Sequence, residues 1–270
     1  MPNTLYDTLI IGGTVEALSC YCQLQKAAPQ AKIALIAPKL KTTQAKLTPE
    51  PFEHFQTKII YSTFQHGIIC FLNEKNERFC CKSAIIATGT SPIKSTLKSD
   101  CLYYSVDSMS SKKNGQVIIY GEGGTDAIKA AISLARKYRY VYLCTPTFRL
   151  HGTEDLRNRL QRHKNVVHLP NTNIKSCKRD KNSEASEVVL DTYNTIHADA
   201  ILMLLGREGD PSPLNKRMVE VDTQNKIIVK SCNETTLVPN IFAIGDCAQS
   251  QNTLSIRQIV NTIITRLNLS

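Results

Sequence analysis

The sequence predicts an α/β fold, because a strand, a glycine turn, a helix and a second strand follow one another twice. Each copy begins with a short apolar run that ends in glycine, at 7–11 and at 116–120, and residues at helical spacing follow the glycine turn. The copies are so far apart that we expect two domains rather than one. A chain of 270 residues, 42% of them hydrophobic, is long enough to bury two cores.

The elements of the first domain follow from runs and spacings of apolar residues. We expect a strand, a helix, a strand, a hairpin that turns at Gly67 and a further strand, at 7–11, 15–27, 32–37, 58–72 and 77–87. The apolar run of the last strand continues to Gly89 and Pro92, which end it.

The second domain repeats the pattern after the polar residues 93–115. We expect its strand, glycine turn, helix and strand at 116–120, 121–125, 126–139 and 141–144. Beyond them we expect a polar hairpin, an apolar strand, two short strands and a final helix, at 186–199, 200–205, 227–230, 241–244 and 253–268.

Glycine stands where a dinucleotide fold needs it. The turn after the first strand must be tight, and its backbone N–H groups must approach a pyrophosphate in the positive field of a helix N-terminus. GEGGT (121–125) satisfies this requirement in the second domain. Glu122 and Asp126 place negative charge beside the same turn, which disfavours a phosphate. Both a nucleotide site and a retained, empty turn stay open on these residues.

The first turn, GGTVEA (12–17), departs from the G-x-G-x-x-G/A pattern at Thr14, where a Cβ hinders the closest backbone approach to phosphate. Ala17 takes the third glycine position. Neither domain has the acidic residue that ordinarily ends the second strand and binds ribose hydroxyls. Its absence from the second domain argues against an ordinary NAD site and leaves Arg149 as a candidate contact for a 2′-phosphate.

Two later apolar strands, in IIATGTSP (85–92) and VPNIFAIGDCA (238–248), deliver glycine and a small polar group to a loop, as a backbone-lined ligand site requires. Together with the two glycine turns and Arg257-Gln258, these motifs resemble in content and order the thioredoxin reductase group of two-dinucleotide-fold flavoproteins. The resemblance covers nearly the whole chain. It implies two Rossmann-like dinucleotide-binding domains. FAD is expected on the domain made from the chain ends, 1–110 with 235–270, and NADPH on the domain inserted into it, 111–234.

The resemblance also implies roles for individual residues. Those expected to contact FAD are Gly12, Gly13 and Ala17 at the pyrophosphate, Thr88 and Gly89 at the adenosine, Gly245 and Asp246 at the ribityl and phosphate part, and Arg257 and Gln258 near the flavin ring. Those expected to face a nicotinamide nucleotide are Gly121, Gly123, Gly124 and Thr125. The implied function is that of an FAD-dependent oxidoreductase that moves electrons between a reduced donor, NADPH, NADH or ferredoxin, and an acceptor.

The chain departs from this group in its redox centre. Thioredoxin reductases of this type carry a C-x-x-C pair shortly before the second glycine turn, because a dithiol passes electrons from the flavin to a disulfide. Here SDCLYYSVDSMSS contains Cys101 alone, with Tyr104 three residues later. Cys101 is the candidate catalytic thiol. Two alternatives stay open: a ferredoxin- or flavodoxin-linked reductase that needs no dithiol, and a non-catalytic or regulatory descendant that binds a nucleotide or a partner.

Basic residues are concentrated in one segment of the chain. Residues 129–181 contain 13 Lys and Arg and three Asp and Glu, an excess equal to the +10 of the whole chain. An acidic protein such as ferredoxin, flavodoxin or a thioredoxin-like partner is expected to dock there, and a solvated basic face is the alternative. Nucleic-acid binding is not favoured, because no aromatic interleaving accompanies the charges. The resemblance implies a homodimer.

Ten cysteines scatter through long apolar segments and do not form a short stapled scaffold, so we expect reduced thiols and a cytoplasmic protein. The N-terminus has no charged region before its apolar stretch, and no apolar run approaches the length of a membrane helix. The six histidines form no pair at metal-ligand spacing, so we expect no metal site.

Overall fold

The chain folds into two compact units, and the computed structural model describes residues 4–40, 52–179, 185–192, 194–230, 232–249 and 255–269. Unit 1 comprises Met1–Ser91 and Glu208–Ser270, and unit 2 comprises Pro92–Arg207. In chain order the elements are β1 (Leu5–Ile11), α1 (Val15–Ala27), β2 (Ile33–Ile36), β3 (His54–Phe55), β4 (Ile59–Gln65), β5 (Ile68–Asn73), β6 (Arg78–Ile86), β7 (Thr90–Pro92), β8 (Leu102–Tyr103), β9 (Lys112–Gly121), α2 (Thr125–Leu134), β10 (Tyr138–Cys144), α3 (Glu154–Gln161), β11 (Val166–Leu169), β12 (Ile174–Arg179), β13 (Ser186–Leu190), β14 (Thr195–Ala198), β15 (Ala200–Leu204), β16 (Arg207–Gly209), β17 (Ile241–Ala243) and α4 (Ile256–Leu267).

A central sheet organises unit 1, with the strand order β3-β2-β1-β6-β5-β4 and β17 paired to β6. β1 lies between β2 and β6, parallel to both, whereas β4 and β5 form an antiparallel hairpin. Helices α1 and α4 cover one face of this sheet, and a second core cluster lies on the other. The carboxyl-terminal halves of β1 and β6, residues 8–11 and 83–86, are buried throughout. Both are largely apolar because parallel strands at the centre of a sheet are covered on both faces.

The predicted hairpin turn at Gly67 is confirmed. His66 and Gly67, the two residues between β4 and β5, have φ angles of 50° and 79°. A two-residue turn with positive φ at both positions matches the twist of the strands that it joins.

The main sheet of unit 2 is parallel throughout the described chain, with the order β11-β10-β9-β15-β8. A separate antiparallel sheet consists of β12, β13 and β14. Helix α2 packs on the parallel sheet through Ile128, Ala131 and Leu134, which are fully buried. Both units therefore place a glycine turn between the first strand of a parallel sheet and a helix that covers it.

The boundaries of the units differ from those expected at 110/111 and 234/235. Residues after 208 belong to unit 1 because Leu214, Met218 and Ile227 are buried in one of its core clusters. Residues after 92 belong to unit 2 because Leu97 packs in a cluster there and β8 pairs with β15. Hydrophobic burial and strand pairing, rather than the polarity of 93–115, decide where the units divide.

Other elements also differ from the sequence-based expectations. Helix α2 ends at Leu134 instead of 139, because Tyr138 already pairs with Lys112 of β9. The prediction of a strand at 227–230 is wrong, because only isolated β-bridges occur there, at Ile227 and Val229. Elements α3, β11 and β12 were not expected. The final helix begins at Ile256, and residues 253 and 254 of its predicted range lie outside the described chain.

The expectation that all cysteines are reduced is wrong for Cys70 and Cys80, which form a disulfide. They stand directly opposite each other on β5 and β6, and this register brings the two sulfurs together. The other eight cysteines carry thiol groups. Disulfides persist mainly outside the reducing cytosol, so the cytoplasmic location stays a prediction.

Candidate functional site

Gly12 ends β1 in a conformation that only glycine adopts readily. Its φ is +126°, and a Cβ built on it would lie 2.1 Å from the carbonyl oxygen of Ala87 and 2.8 Å from the nitrogen of Thr88. A Cβ on Gly13 would lie 2.1 Å from the carbonyl oxygen of Lys39. The turn is therefore pressed between the ends of β6 and β2, at the carboxyl edge of the sheet, where α/β proteins bind ligands.

Thr14, which replaces a glycine of the pattern, acts as the N-cap of α1. Its hydroxyl accepts a hydrogen bond from the backbone nitrogen of Ala17, at 3.3 Å. The cap satisfies one N–H of the first helical turn, so fewer amides remain for a phosphate. Ala17 is fully buried, which explains why a small residue stands at this site.

A cavity of about 280 Å³ opens beside the first glycine turn. Its lining includes Gly12 and Gly13, the lysines Lys39 and Lys58, and Thr57. The hydroxyl of Thr57 is buried and has no hydrogen-bond partner among the described residues, although buried polar groups in folded proteins are nearly always paired. The volume is close to the lower end of ligand pockets, about 300 Å³, so it suits one end of a dinucleotide rather than all of it.

The neighbouring strand ends complete this edge of unit 1. The hydroxyl of Thr88 donates to the carbonyl oxygen of Asp210 at 2.5 Å, and Gly89 has a φ of +73°. Gly245 also has a positive φ, and a Cβ there would lie 3.5 Å from the side chain of Glu16. The carboxylate of Glu16 therefore places negative charge beside Gly245, a residue expected to approach a phosphate. The side chain of Asp246, the next residue in sequence, is exposed.

The two residues expected near a flavin ring lie at the start of α4. Gln258 forms a capping box with Ser255: its side chain accepts a hydrogen bond from the Ser255 nitrogen at 2.9 Å. Arg257 is exposed. The cap gives Gln258 a structural role that does not depend on any ligand.

The second glycine turn leaves the N-terminus of α2 more open than that of α1. Gly124 is the N-cap, no side chain caps this helix, and a Cβ on Gly124 would have no neighbour within 4 Å. Thr125 and Gly124 line a cavity of about 300 Å³ together with the acidic Glu122 and Asp126 and the basic Arg207. Free helix N-terminal amides attract anions, whereas the two carboxylates oppose them.

Gly121 and Gly123 are required by the packing of the chain itself. A Cβ on Gly121 would lie 2.5 Å from the carbonyl oxygen of Leu204. Gly123 has a φ of +75°, and a Cβ there would lie 3.1 Å from both Leu150 and Thr145. These glycines therefore have structural reasons to be present whether or not a nucleotide binds.

A basic cavity of about 430 Å³ lies next to the loop that follows β10. Arg149, the candidate 2′-phosphate contact, lines it together with Arg157, Lys164 and the ring of Phe148. His168 lines it too, and burial lowers the pKa of this histidine. Its fixed cations suit a phosphate monoester.

The structure brings a second thiol to Cys101 that the sequence did not indicate. The Sγ of Cys177, on β12, lies 3.9 Å from the Sγ of Cys101, and both residues are half-buried. The hydroxyl of Ser99 lies 3.2 Å from Cys101 Sγ. Burial is the main factor that raises the pKa of the Cys177 thiol. The hydroxyl of Tyr104, at the position of the second cysteine of a C-x-x-C pair, instead accepts a hydrogen bond from the Ser95 nitrogen at 3.0 Å.

Several other cysteines of unit 1 are disulfide-bonded or buried. Cys80 bonds to Cys70 and not to its neighbour Cys81, which is fully buried. The thiol of Cys247 is buried and donates to the carbonyl oxygen of Ile244 at 3.1 Å. Cys20 is buried on α1, and its pKa is raised to about 12, chiefly by burial.

The basic segment forms an exposed surface on α2 and α3. Its exposed cations on and directly after these helices are Lys129, Arg136, Arg157, Arg159 and Arg162. Asp180, Lys181 and the side chain of Arg179 lie outside the described chain. Among the described residues, no three His, Cys, Asp or Glu side chains group as metal ligands would. No helix in the described ranges is both long and apolar enough to cross a bilayer.

The described architecture is that of known two-domain reductases. A crystal structure of thioredoxin reductase from Lactococcus lactis superimposes with a TM-score of 0.72 at 18% identity, covering 97% of each chain. Thioredoxin reductase from T. acidophilum superimposes with a TM-score of 0.69 at 16% identity, covering 98% of this chain and 97% of that chain. At such identities the similarity shows the fold, and it confirms the predicted pair of dinucleotide-binding domains.

Comparison of sequences also finds reductases among the relatives of this chain. Ferredoxin–NADP reductase of Orientia tsutsugamushi (strain Boryong) is 26% identical over 229 residues, which are 76% of this chain and 65% of that protein. The ferredoxin–NADP reductase of Lactobacillus johnsonii is 29% identical over 220 residues, 76% of this chain and 64% of that protein. The chain thus spans just under two thirds of these relatives. The family model for pyridine nucleotide-disulphide oxidoreductases matches residues 6–263, and the chain belongs to this family.

Proposed function

We propose that the protein is a flavin-dependent oxidoreductase that holds FAD at the carboxyl edge of unit 1. It passes electrons from a reduced donor, a nicotinamide nucleotide or ferredoxin, to an acceptor. FAD supplies the electron chemistry, and the chain supplies binding and orientation. Family membership supports this proposal, and the cavity beside the first glycine turn carries it.

The buried, unpaired hydroxyl of Thr57 is the observation that favours a ligand in this cavity. An unpaired buried hydroxyl costs about 1–3 kcal/mol, and a polar ligand atom in the cavity would remove this cost. Gly12, Gly13, Ala17, Thr88 and Gly89 are the residues proposed to surround the adenosine and pyrophosphate. The remaining proposed contacts, toward the flavin ring, are Gly245, Asp246, Arg257 and Gln258.

Replacing Thr57 by valine is expected to separate ligand binding from stability. The isosteric change removes the unpaired hydroxyl, so the free protein gains about 1 kcal/mol in its free energy of unfolding. FAD loses its hydrogen-bond partner, and its affinity falls about tenfold. The measurements are urea unfolding and a titration of the protein with FAD, followed by flavin absorbance and fluorescence.

Thr8 provides a matched control. Its hydroxyl on β1 is also buried and finds no partner within the described ranges, but Thr8 does not line the cavity. Thr8→Val is therefore expected to raise stability and leave FAD affinity unchanged. If the unchanged protein neither binds FAD nor gains thermal stability from it, the flavin proposal is wrong and the non-catalytic alternative replaces it.

The inserted unit is proposed to hold the nicotinamide nucleotide. Gly121, Gly123, Gly124 and Thr125 form the turn that would face its pyrophosphate. The basic cavity of Arg149, Arg157 and Lys164 favours NADPH over NADH, because the 2′-phosphate is the group that distinguishes the two nucleotides.

The pairing of Cys101 with Cys177 supports a disulfide as the electron acceptor. We expect mild oxidation with diamide to join the two residues, because their sulfurs need to close from 3.9 Å to about 2.05 Å. Each oxidation event removes two protons and two electrons from the two thiols, and diamide takes them up. Peptide mapping by mass spectrometry is expected to find one new Cys101–Cys177 crosslink, with a mass lower by about two hydrogen atoms.

A Cys232→Ser variant serves as the control for this oxidation, since Cys232 is another free, half-buried cysteine. It is expected to form the same crosslink at the same rate, whereas Cys177→Ser removes it. Oxidation that leaves Cys101 and Cys177 as separate thiols would exclude the pair as an electron acceptor. The ferredoxin-linked alternative, which needs no dithiol, would then be favoured.

The exposed cations of α2 and α3 are proposed to dock an acidic protein. Their charge suits ferredoxin, flavodoxin or a thioredoxin-like protein, and relatives named ferredoxin–NADP reductase support the first of these. Homodimer formation and a cytoplasmic location stay predictions.

A further inference from the structure

The disulfide of unit 1 lies at the opposite end of the sheet from the glycine turn. Cys80 pairs with Leu5, the first residue of β1, whereas Ile86 pairs with Ile11, the residue before Gly12. Six residues of strand separate the two positions, a distance of about 20 Å. Whatever binds at the glycine turn is therefore out of contact with this disulfide.

We propose that the Cys70–Cys80 disulfide is a redox site of its own, which small anionic thiols open by thiol–disulfide exchange. Three observations carry the proposal: a guanidinium group beside one sulfur, unequal access to the two sulfurs, and a cavity lined by both cysteines. The proposal does not rest on the flavin-dependent function.

Arg78 stands beside the sulfur of Cys70. Its Nη2 lies 3.2 Å from Cys70 Sγ, within reach of a charge-assisted contact if that sulfur becomes a thiolate. A thiolate leaves faster when it is stabilised. The guanidinium therefore makes Cys70 the better leaving group of the pair.

The two cysteine residues also differ in exposure. Cys70 is 7% exposed, whereas Cys80 is half-buried. An incoming thiolate therefore reaches Cys80 more readily than Cys70. Access and leaving-group stability favour the same direction of attack.

A cavity of about 360 Å³ is open to the disulfide. Cys70, Cys80, Arg78, His66, Gln65 and Thr63 line it, and none of its described lining residues is an Asp or Glu. Its size admits only a small molecule. Its positive charge favours a thiol that carries a carboxylate or sulfonate group over a neutral or cationic thiol.

The exchange balances in two steps. A thiolate attacks Cys80 Sγ, the bond between Cys70 and Cys80 breaks, and Cys70 leaves as a thiolate beside Arg78. A second thiolate then attacks the external sulfur of the mixed disulfide, which releases an oxidised small-molecule disulfide and the Cys80 thiolate. Two electrons pass from two external thiols to the protein disulfide.

Three two-carbon thiols of different charge test the proposal: 2-mercaptoethanesulfonate, 2-mercaptoethanol and cysteamine. Reduction of the flavin-free full chain is followed by alkylation of Cys70 and Cys80 and by peptide mapping. Each rate is expressed per thiolate and divided by the rate at which the same thiol attacks hydroxyethyl disulfide. The sulfonate is expected to act about tenfold faster than cysteamine, with mercaptoethanol between them.

Variants of Arg78 test whether its positive charge causes the preference for the sulfonate thiol. Arg78→Gln is expected to slow reduction of the disulfide by the sulfonate and to remove the dependence of the corrected rates on thiol charge. Arg78→Lys is expected to keep that dependence. Lys82→Gln, which removes an exposed cation from the same strand, is expected to leave both rate and order unchanged. Equal corrected rates for the three thiols, or an order that survives in Arg78→Gln, would overturn the proposal.

A dependence on thiol concentration distinguishes exchange in the folded protein from exchange after unfolding. The rate of disulfide reduction is expected to rise in proportion to the concentration of each thiol. A rate that levels off at one common limit for all three thiols would mean that unfolding exposes the disulfide, and the proposal would fail. Because FAD is not present in the experiment, this result is independent of the flavin proposal.

Discussion

Replacing Gly12 by alanine is expected to destabilise unit 1 by about 3 kcal/mol or more and to abolish FAD binding. The added Cβ would lie 2.1 Å from the carbonyl oxygen of Ala87, a backbone atom that moves only if β6 moves. The φ of +126° adds conformational strain for any residue with a Cβ. Urea unfolding and FAD titration measure the two effects.

Gly124→Ala is the matched control for this prediction. Gly124 also belongs to a glycine turn, but its φ is −73° and a Cβ there has open space around it. We expect a loss of no more than about 1 kcal/mol, because alanine is a poorer N-cap than glycine but meets no steric conflict at this position. A Gly12→Ala protein as stable as Gly124→Ala would show that the turn is not packed as described.

Replacing Arg266 by alanine is the second large effect expected, a loss of about 2–3 kcal/mol in the free energy of unfolding at neutral pH. Arg266 donates from Nη1 to the Oε1 of Glu234 at 2.5 Å, and the side chain of Glu234 is only 9% exposed. The backbone nitrogen of Asn240 donates to the same carboxylate at 2.7 Å. Without the arginine, a buried carboxylate loses its counter-charge.

The stability lost in Arg266→Ala is expected to depend on pH. Burial opposes ionisation of Glu234, but the hydrogen bond from Arg266 and that from Asn240 prevail and lower its pKa. A carboxyl group whose pKa is lowered by folding stabilises the native state above its ordinary value of about 4.3, and that stability is lost as the pH falls through the lowered pKa. In Arg266→Ala the carboxyl is protonated more readily, so the difference between the two proteins is expected to narrow in acid.

Two further variants give this prediction a control and a rescue. Arg159→Ala removes the exposed partner of Asp155 at 3.9 Å and is expected to cost less than about 1 kcal/mol, as exposed ion pairs do. Glu234→Gln combined with Arg266→Ala is expected to recover part of the loss, because no buried charge remains. A loss that stays the same from neutral to acidic pH would contradict the role given to Glu234.

The sequence predicted the glycine turns well because their requirements are local. A tight turn after a buried strand and before a helix needs glycine for φ and for close backbone approach, and both needs are visible in a few neighbouring residues. The structure confirms the strands and helices around Gly12 and around GEGGT at 121–125. It adds that Thr14 caps α1 and that Gly123 is covered by Leu150.

The sequence did not predict the contacts that join distant residues. Cys101 and Cys177 are 76 residues apart, and Glu234 and Arg266 are 32 residues apart. Strand register decides that Cys70 faces Cys80 rather than a neighbouring residue. A shift of one residue would turn one cysteine to the other face of its sheet, and composition and spacing do not determine register at that precision.

Local sequence patterns were sufficient to predict the two strand–turn–helix–strand units and the position of the two glycine turns. These features depend on apolar periodicity and on backbone freedom, which neighbouring residues set. Tertiary contacts set the division between the units, the cysteines that meet and the cavity hydroxyl that has no partner among the described residues. Those features depend on burial and strand pairing between segments far apart in the chain, so only the folded protein shows them.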